Sequence, residues 1–168
     1  YKSNGVILKG NFEFKNPLEK IFLEKKINQL SLTNSKIKTN FSSIKKIINI
    51  SGNYSLNDSD PLLFNLEHII DNNLLKLKMD ADFDKLIELE IINYKKPKNT
   101  IASFSMNLEK QKDNINIKKI NIKNKNNLIF FEDVKFNKNN FLSLKKISVK
   151  TKKDGKKNND FSILYGKK

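Results

Sequence analysis

The residue types that most often carry chemistry are scarce in this chain. It has 168 residues, a single histidine, His68, and no cysteine. Without cysteine the chain forms neither a disulfide nor a thiolate zinc site, and one histidine cannot supply the usual zinc ligands. His68 lies within an alternating segment, on the same side as Phe64. A histidine in that position is usually exposed or hydrogen-bonded, and rarely the base of a catalytic triad.

Two local motifs imitate known sites, but each lacks an essential residue. Segment 5–11, GVILKGN, has two glycines at the spacing of a phosphate-binding loop, yet asparagine stands where lysine is required. Asp80, Asp82 and Asp84 resemble the first ligands of a calcium loop. Such a loop needs a bidentate glutamate at its twelfth position, which Ile91 occupies here. The sequence therefore predicts no enzyme, no metal site and no cofactor.

The charge of the chain is strongly positive, at +15, and all 33 basic residues are lysine. Such a charge attracts nucleic acids and anionic membranes. Arginine, whose planar fork matches guanine and phosphate, is absent, which argues against a specific nucleic-acid partner. Lysine, asparagine, isoleucine and phenylalanine are supplied by A/T-rich codons, so base composition explains part of the charge. A basic nucleic-acid-binding β domain remains an alternative hypothesis.

The clearest structural signal is the alternation of apolar and charged residues over 74–94. Alternation with a period of two is typical of a strand with one dry face. Two such strands, separated by an acidic tip at 82–84, pair apolar with apolar and lysine with glutamate if partner numbers sum to 166. We therefore predict an antiparallel hairpin. Its apolar pairs are Leu75 with Ile91, Leu77 with Leu89, and Met79 with Ile87.

The same texture continues along the chain, in alternating pieces separated by Asn, Asp, Ser and Lys clusters. Because these connections are too short for crossover helices, neighbouring strands are expected to be antiparallel. One short helix is predicted near residues 17–26, where Asn16 and Pro17 resemble a helix start. The predicted strands are 6–14, 27–33, 36–41, 47–56, 62–70, 74–81, 86–94, 100–108, 115–122, 128–136, 141–150 and 161–165.

A second hairpin is predicted from partner numbers that sum to 278. Its apolar pairs are Ile129 with Val149, Phe131 with Ile147, Val134 with Leu144, and Phe136 with Leu142. The apolar phase changes across Lys145–Lys146, and the same Lys-Lys-Ile unit begins at residues 25, 45 and 118. A doublet that changes the phase is typical of a β-bulge or a bend.

These strands predict a mainly β fold, a long antiparallel meander forming a single module over residues 1–168. At about 4.8 Å per strand the sheet is about 50 Å wide, and a sheet of that size must curl, split or close. One short helix cannot cover its apolar face. We therefore expect an open, β-taco-like groove covered by something outside the chain, such as lipid chains, and keep a lipid-free barrel or β-sandwich as an alternative. The predicted groove-lining residues are Leu75, Leu77, Met79, Ile87, Leu89, Ile91, Phe104, Met106 and Leu108.

One segment resembles a known family. Residues 46–70 join a strand, the run Gly-Asn-Tyr-Ser-Leu, an acidic turn and a second alternating strand. This arrangement resembles the repeated unit of the AsmA-like superfamily of bacterial envelope proteins, and 115–136 and 141–150 resemble further strands of that kind. The chain also lacks an initiator methionine, so we expect a fragment of a longer protein.

The resemblance implies a location, a function and partners. An AsmA-like protein forms a periplasmic β-groove that is anchored to the inner membrane, here through a segment outside this sequence. The groove carries phospholipid between the inner and outer membranes and serves outer-membrane assembly. The implied partners are phospholipid acyl chains and other membrane envelope proteins, and no catalytic residue is implied.

Overall fold

The computed structural model describes residues 1–13, 28–57, 59–89, 92–97, 99–138, 140–153 and 155–165. Within these ranges the fold is mainly β, as predicted. The helix predicted near 17–26 lies outside the described residues. The strands are β1 (Lys2–Glu13), β2 (Gln29–Phe41), β3 (Lys45–Leu56), β4 (Leu62–Asp71), β5 (Leu74–Phe83), β6 (Ile87–Leu89), β7 (Tyr94–Lys96), β8 (Ala102–Gln111), β9 (Asn114–Asn124), β10 (Asn127–Asn137), β11 (Asn140–Ser143), β12 (Lys146–Lys153) and β13 (Lys156–Leu164).

Eleven of these strands form one antiparallel sheet in nearly sequential order. The order is β1-β2-β3-β4-β5-β8-β9-β10-β12-β13, and β11 pairs with β10 beside this path. The sheet stays open, because β1 and β13 each pair on one side only. The strands β6 and β7 pair with each other and form a separate two-stranded unit, which we call the flap. The predicted meander is therefore confirmed, with the flap inserted between β5 and β8.

The predicted hairpin between 74–81 and 86–94 is wrong. β5 pairs with β8 instead, which places Leu77 opposite Leu108 and Met79 opposite Met106. β8 is ten residues long and β6 only three, so a β5–β8 ladder contains many more cross-strand pairs. The charge pattern is satisfied only in part by β8, since Lys76 lies 3.9 Å from Glu109 but Lys78 faces Asn107.

The second predicted hairpin is confirmed over most of its length. Ile129 lies opposite Val149 and Phe131 opposite Ile147, as expected. Near the tip the prediction is wrong, because the register shifts between Lys135 and Phe136. Phe136 consequently faces Phe141 and not Leu142. The expected pair of Val134 with Leu144 does not form, because the chain leaves the ladder between β11 and β12.

Among the Lys-Lys-Ile units in the described residues, some coincide with a bulge or a break in the ladder, and one lies in a regular ladder. The β8–β9 register shifts between Asn107 and Leu108, which leaves Lys118 as the extra residue of a bulge. The doublet at Lys145 falls in the break between β11 and β12. The doublet at Lys45 lies in a regular ladder with β4, so this unit does not mark a bulge. The unit at 25 lies outside the described residues.

The ladder register puts apolar side chains on one face of the sheet and polar ones on the other. We call these the apolar face and the polar face. Cross-strand partners line up in rows that run across the strands. One row of the apolar face is Gly52, Phe64, Ala81, Phe104, Ile122, Ile129, Val149 and Phe161. One row of the polar face is Glu67, Lys78, Asn107, Lys119, Glu132 and Lys146.

Gly52 is required by a bulge in the neighbouring strand. The β2–β3 register shifts between Thr33 and Lys36, and Asn34 adopts a φ of 47°. The bulge pushes Ser35, which is fully buried, against β3. A Cβ atom on Gly52 would lie 2.5 Å from the Cα of Ser35. This neighbour is backbone, so it cannot move aside as a flexible side chain would.

We predict that Gly52→Ala lowers the free energy of unfolding by about 1–3 kcal/mol, because the added methyl group must displace the β2 backbone. Gly5→Ala is the matched control, since nothing lies within 4 Å of a Cβ at that position. Urea denaturation of both variants measures the difference. Equal stability of the two variants would show that the bulge yields without cost.

Candidate functional site

One end of the apolar face is closed by packing within the chain. Ile87 and Tyr94 of the flap are buried against Ile122, Ile129 and Val149 of the main sheet. A second buried cluster at the same end consists of Leu32, Tyr54, Leu56 and Ala81. We call this part of the apolar face the closed half.

Tyr54 shows that the sheet curls toward its apolar face at this end. Its ring packs edge-on against Phe64 on the adjacent strand, with ring centroids 5.9 Å apart. Its hydroxyl reaches past that strand and donates a hydrogen bond to the carbonyl oxygen of Asp82 on β5. Strand twist brings strands two apart within reach of one side chain. Burial raises the pKa of Tyr54, so this hydroxyl stays a donor.

The other end of the apolar face belongs to neither buried cluster. We call this end the open half. It consists of two rows of cross-strand partners, an inner row and an outermost row that we call the rim. The inner row is Ile48, His68, Leu77, Leu108, Ile117 and Val134. The rim is Lys46, Ile70, Leu75, Lys110, Ile115 and Phe136.

The apolar side chains of the open half keep part of their surface exposed. Apart from Val134, each of them is only partly buried. The chain exposes 11747 Å² in total, whereas a compact protein of its 19.6 kDa mass exposes about 8,600 Å². A sheet that is covered over only part of one face exposes more surface than a compact fold of the same mass. The open half is therefore an apolar surface that the described residues do not cover.

Six of the nine residues predicted to line a groove lie together on the apolar face, on the adjacent strands β5 and β8. The other three do not join them. Ile87 is buried under the flap, and Leu89 packs against the same cluster. Ile91 lies outside the described residues. The six are Leu75, Leu77, Met79, Phe104, Met106 and Leu108.

His68 lies on the apolar face, the side expected from the sequence. Its cross-strand neighbours are Ile48 and Leu77, neither of which could serve as a partner in a catalytic triad. In the ranges that the structure describes, no group of three or more His, Asp or Glu side chains could hold a metal ion. The same ranges contain no helix long and apolar enough to cross a bilayer.

The polar face carries most of the ion pairs. Lys78 lies 3.3 Å from Glu67, and Lys118 lies 3.5 Å from Glu109. Lys145 pairs with Glu132. Such exposed pairs add little stability. They do, however, engage the glutamates of this sheet with lysines of the polar face.

The polar face also has a depression of about 320 Å³, centred on β4, β5 and β8. Asp80, Asp82, Ser103 and Ser105 line it together with Leu63. Its carboxylates would repel the phosphate of a lipid headgroup. This depression is therefore not the surface predicted to bind lipid.

A basic aromatic patch on the polar face was not foreseen from the sequence. The Nζ atoms of Lys119 and Lys146 each lie 6.0 Å from the ring centroid of Phe130. Cation–π contacts of this kind occur in single-strand nucleic-acid sites, which also need several stacking aromatics. Phe64, Phe104 and Phe131 lie instead on the apolar face, in phase with its other apolar residues.

Comparison with known proteins identifies no relative. No family model, curated protein or solved structure matches the chain.

The flap is held in place by a buried lysine. Lys96 is fully buried, and its Nζ donates hydrogen bonds to the carbonyl oxygens of Asp84 and Pro97, both at 2.9 Å. The same Nζ lies 5.9 Å from the centroid of Phe83. Desolvation lowers the pKa of Lys96 to about 8, although nearby Asp84 acts in the opposite direction. From the sequence, Lys96 resembled an ordinary loop residue before Pro97.

Two asparagines of β13 anchor the tip of the flap. The Asn158 side chain donates to the carbonyl oxygen of Asn93 at 3.0 Å. The Asn159 side chain donates to the carbonyl oxygen of Ile92 at 2.7 Å and to the Thr151 hydroxyl at 2.8 Å. The flap is thus tied to the main sheet at both ends and keeps the closed half shut.

We predict that deprotonation of Lys96 makes the free energy of unfolding rise between about pH 8 and pH 10. Its pKa is lower in the folded chain than in the unfolded chain, so the unfolded chain binds more protons in this window. Above about pH 10 the raised pKa values of Tyr54 and Tyr94 have the opposite effect, and stability falls.

Urea denaturation of Lys96→Met at pH 8, 9 and 10 tests this assignment. The variant lacks the ionisable amine, so we expect its stability to rise less with pH than that of the parent. Lys95→Met is the matched control, because that neighbouring side chain is exposed. Parallel pH profiles for the parent and Lys96→Met would contradict the assignment.

Proposed function

We propose that this chain is a non-enzymatic segment of a bacterial envelope protein whose open half carries phospholipid acyl chains. The observation that supports this most directly is the open half itself. Its rows cross six strands, from β3 to β10, and within the described residues no element packs over them. Contact with acyl chains is favourable by about 0.8 kcal/mol for each CH₂ group removed from water.

The lipid-free sandwich is the less favourable alternative. A sandwich needs a second sheet that covers the first. The flap supplies two strands of three residues each, and it covers the closed half only. The apolar surface of the open half would then remain in contact with water.

The nucleic-acid alternative has one supporting observation, the patch of Phe130 between two lysines. A stacking surface usually presents several aromatic rings along a basic groove. On this sheet Phe64, Phe104 and Phe131 belong to the apolar face, on the side away from that patch. We therefore favour a lipid over a nucleic acid.

The AsmA-like resemblance supplies the cellular context of the proposal. In that context the groove lies in the periplasm, anchored to the inner membrane by a segment outside this sequence. It conducts phospholipid between the inner and outer membranes during outer-membrane assembly, together with other envelope proteins. Because the surface has few polar groups that converge on one point, it suits a sliding ligand better than a tightly held one.

Site-specific photo-crosslinking tests the proposal. A benzophenone amino acid is placed at Leu77 or Leu108 on the open half, and at Lys78 or Asn107 on the polar face of the same strands. After incubation with vesicles of phosphatidylcholine and phosphatidylglycerol, mass spectrometry measures the lipid adducts. We expect adducts at the two leucine positions and few at the controls.

The alternatives give different results in the same experiment. A folded, monomeric protein without lipid adducts at any position would favour the sandwich. Salt-sensitive binding of an oligonucleotide that crosslinks to a benzophenone amino acid placed at Ser148, opposite Phe130, would favour the nucleic-acid binder. Either result would overturn the proposed lipid function.

A further inference from the structure

The rim of the open half carries two lysines within an otherwise apolar row. Lys46 faces Ile70, Ile70 faces Leu75, and Leu75 faces Lys110. The two lysines are therefore three strand spacings apart, about 14 Å at about 4.8 Å per spacing. Both are exposed. They border an apolar strip formed by Ile70 and Leu75, at the outer end of the surface.

These two cations differ from Lys76, Lys78 and Lys118 of the polar face, each of which pairs with a glutamate. On the same strand as Lys110, Glu109 is engaged by Lys76 and Lys118 on the polar face. Glu67, on the strand next to that of Lys46, is engaged by Lys78. Among the described residues, no ion pair includes Lys46 or Lys110. Their charges are free to meet an anion from outside the chain.

We propose that the rim binds the headgroup of an anionic diacyl phospholipid, with its phosphate beside Lys46 and Lys110 and its acyl chains on the open half. This inference rests on the proposed function, because it assumes that acyl chains occupy that surface. An ammonium group binds phosphate as a point charge and needs no fixed geometry. A headgroup at the rim can therefore move while both lysines continue to attract it.

The width of the open half favours two acyl chains over one. The inner row runs from Ile48 on β3 to Val134 on β10 and crosses six strands. Six strands are about 24 Å from first to last, since five spacings of about 4.8 Å separate them. A single fatty acid would leave most of this width exposed. Both chains of one phospholipid fit side by side below the two lysines.

The arrangement also explains how the ligand would be oriented. Along β8 the surface changes from the cationic Lys110 at the rim, through Leu108, to Phe104, which packs against a buried cluster of the closed half. The phosphate would stay at the rim, where both water and lysine are available. The acyl chains would point inward, where the flap ends the path.

A competition experiment tests this orientation. The protein is exchanged into micelles that contain equal amounts of phosphatidylglycerol and phosphatidylcholine with the same acyl chains, and native mass spectrometry counts each bound lipid. We expect the parent to retain phosphatidylglycerol about tenfold more often than phosphatidylcholine. The double variant Lys46→Gln with Lys110→Gln should retain both nearly equally.

The matched control is Lys76→Gln with Lys78→Gln, which removes the same charge from the polar face of β5. We expect this control to keep the preference of the parent. If both double variants lose the preference equally, net charge and not the rim selects the lipid, and the inference is overturned. If the rim variant keeps the preference, the inference is overturned as well.

Two further outcomes separate this inference from the function on which it rests. Retention of both lipids by the parent without any preference would overturn the headgroup site and leave acyl-chain binding intact. Retention of neither lipid by any folded variant would overturn the lipid function and with it this inference. Displacement of phosphatidylglycerol by an equal amount of oleate would show that a single-chain carboxylate is the preferred occupant, which also overturns the phospholipid proposal.

Discussion

The structure depends on one constraint: a single sheet has two faces, and this chain makes one of them apolar across nearly every strand. Burying that face would require a second layer of similar size. The described residues supply only the flap, which packs on the cluster around Ile122, Ile129 and Val149 and leaves the open half uncovered. Hydrophobic burial therefore stabilises one end of the sheet, while the other end presents the same kind of surface to its surroundings.

The two faces differ in where their charged side chains lie. On the polar face, Glu67, Glu109 and Glu132 each pair with a lysine, whereas Lys119 and Lys146 lie near the ring of Phe130. The rim of the apolar face carries Lys46 and Lys110, and the flap contains the fully buried Lys96. The two rim lysines lie at the outer end of the open half. Lys96 holds the flap in place at the opposite end of the apolar face.

The general architecture could be predicted from the sequence, because alternation identifies strands and short connections require antiparallel neighbours. The register of Ile129 with Val149 followed from the same reasoning. The partner of β5 could not be identified, since the segments of β6 and β8 both alternate apolar with polar residues, and each can place a glutamate opposite a lysine of β5. The burial of Lys96 also left no signal in the sequence, because a lysine before proline in a polar segment is typical of a loop. Ile87 was consequently assigned to the wrong part of the apolar face.

The nearly sequential strand order has a consequence for how the chain folds. Most ladders join neighbours linked by tight turns, such as those at Asn72, Lys112 and Lys125, which adopt positive φ values. Local pairing of this kind closes small loops and is kinetically favourable. The β5–β8 ladder is different, because residues 84–101 must first be looped out. We therefore expect two groups of hairpins, one on each side of that loop, to form early. The β5–β8 ladder that joins them should form last.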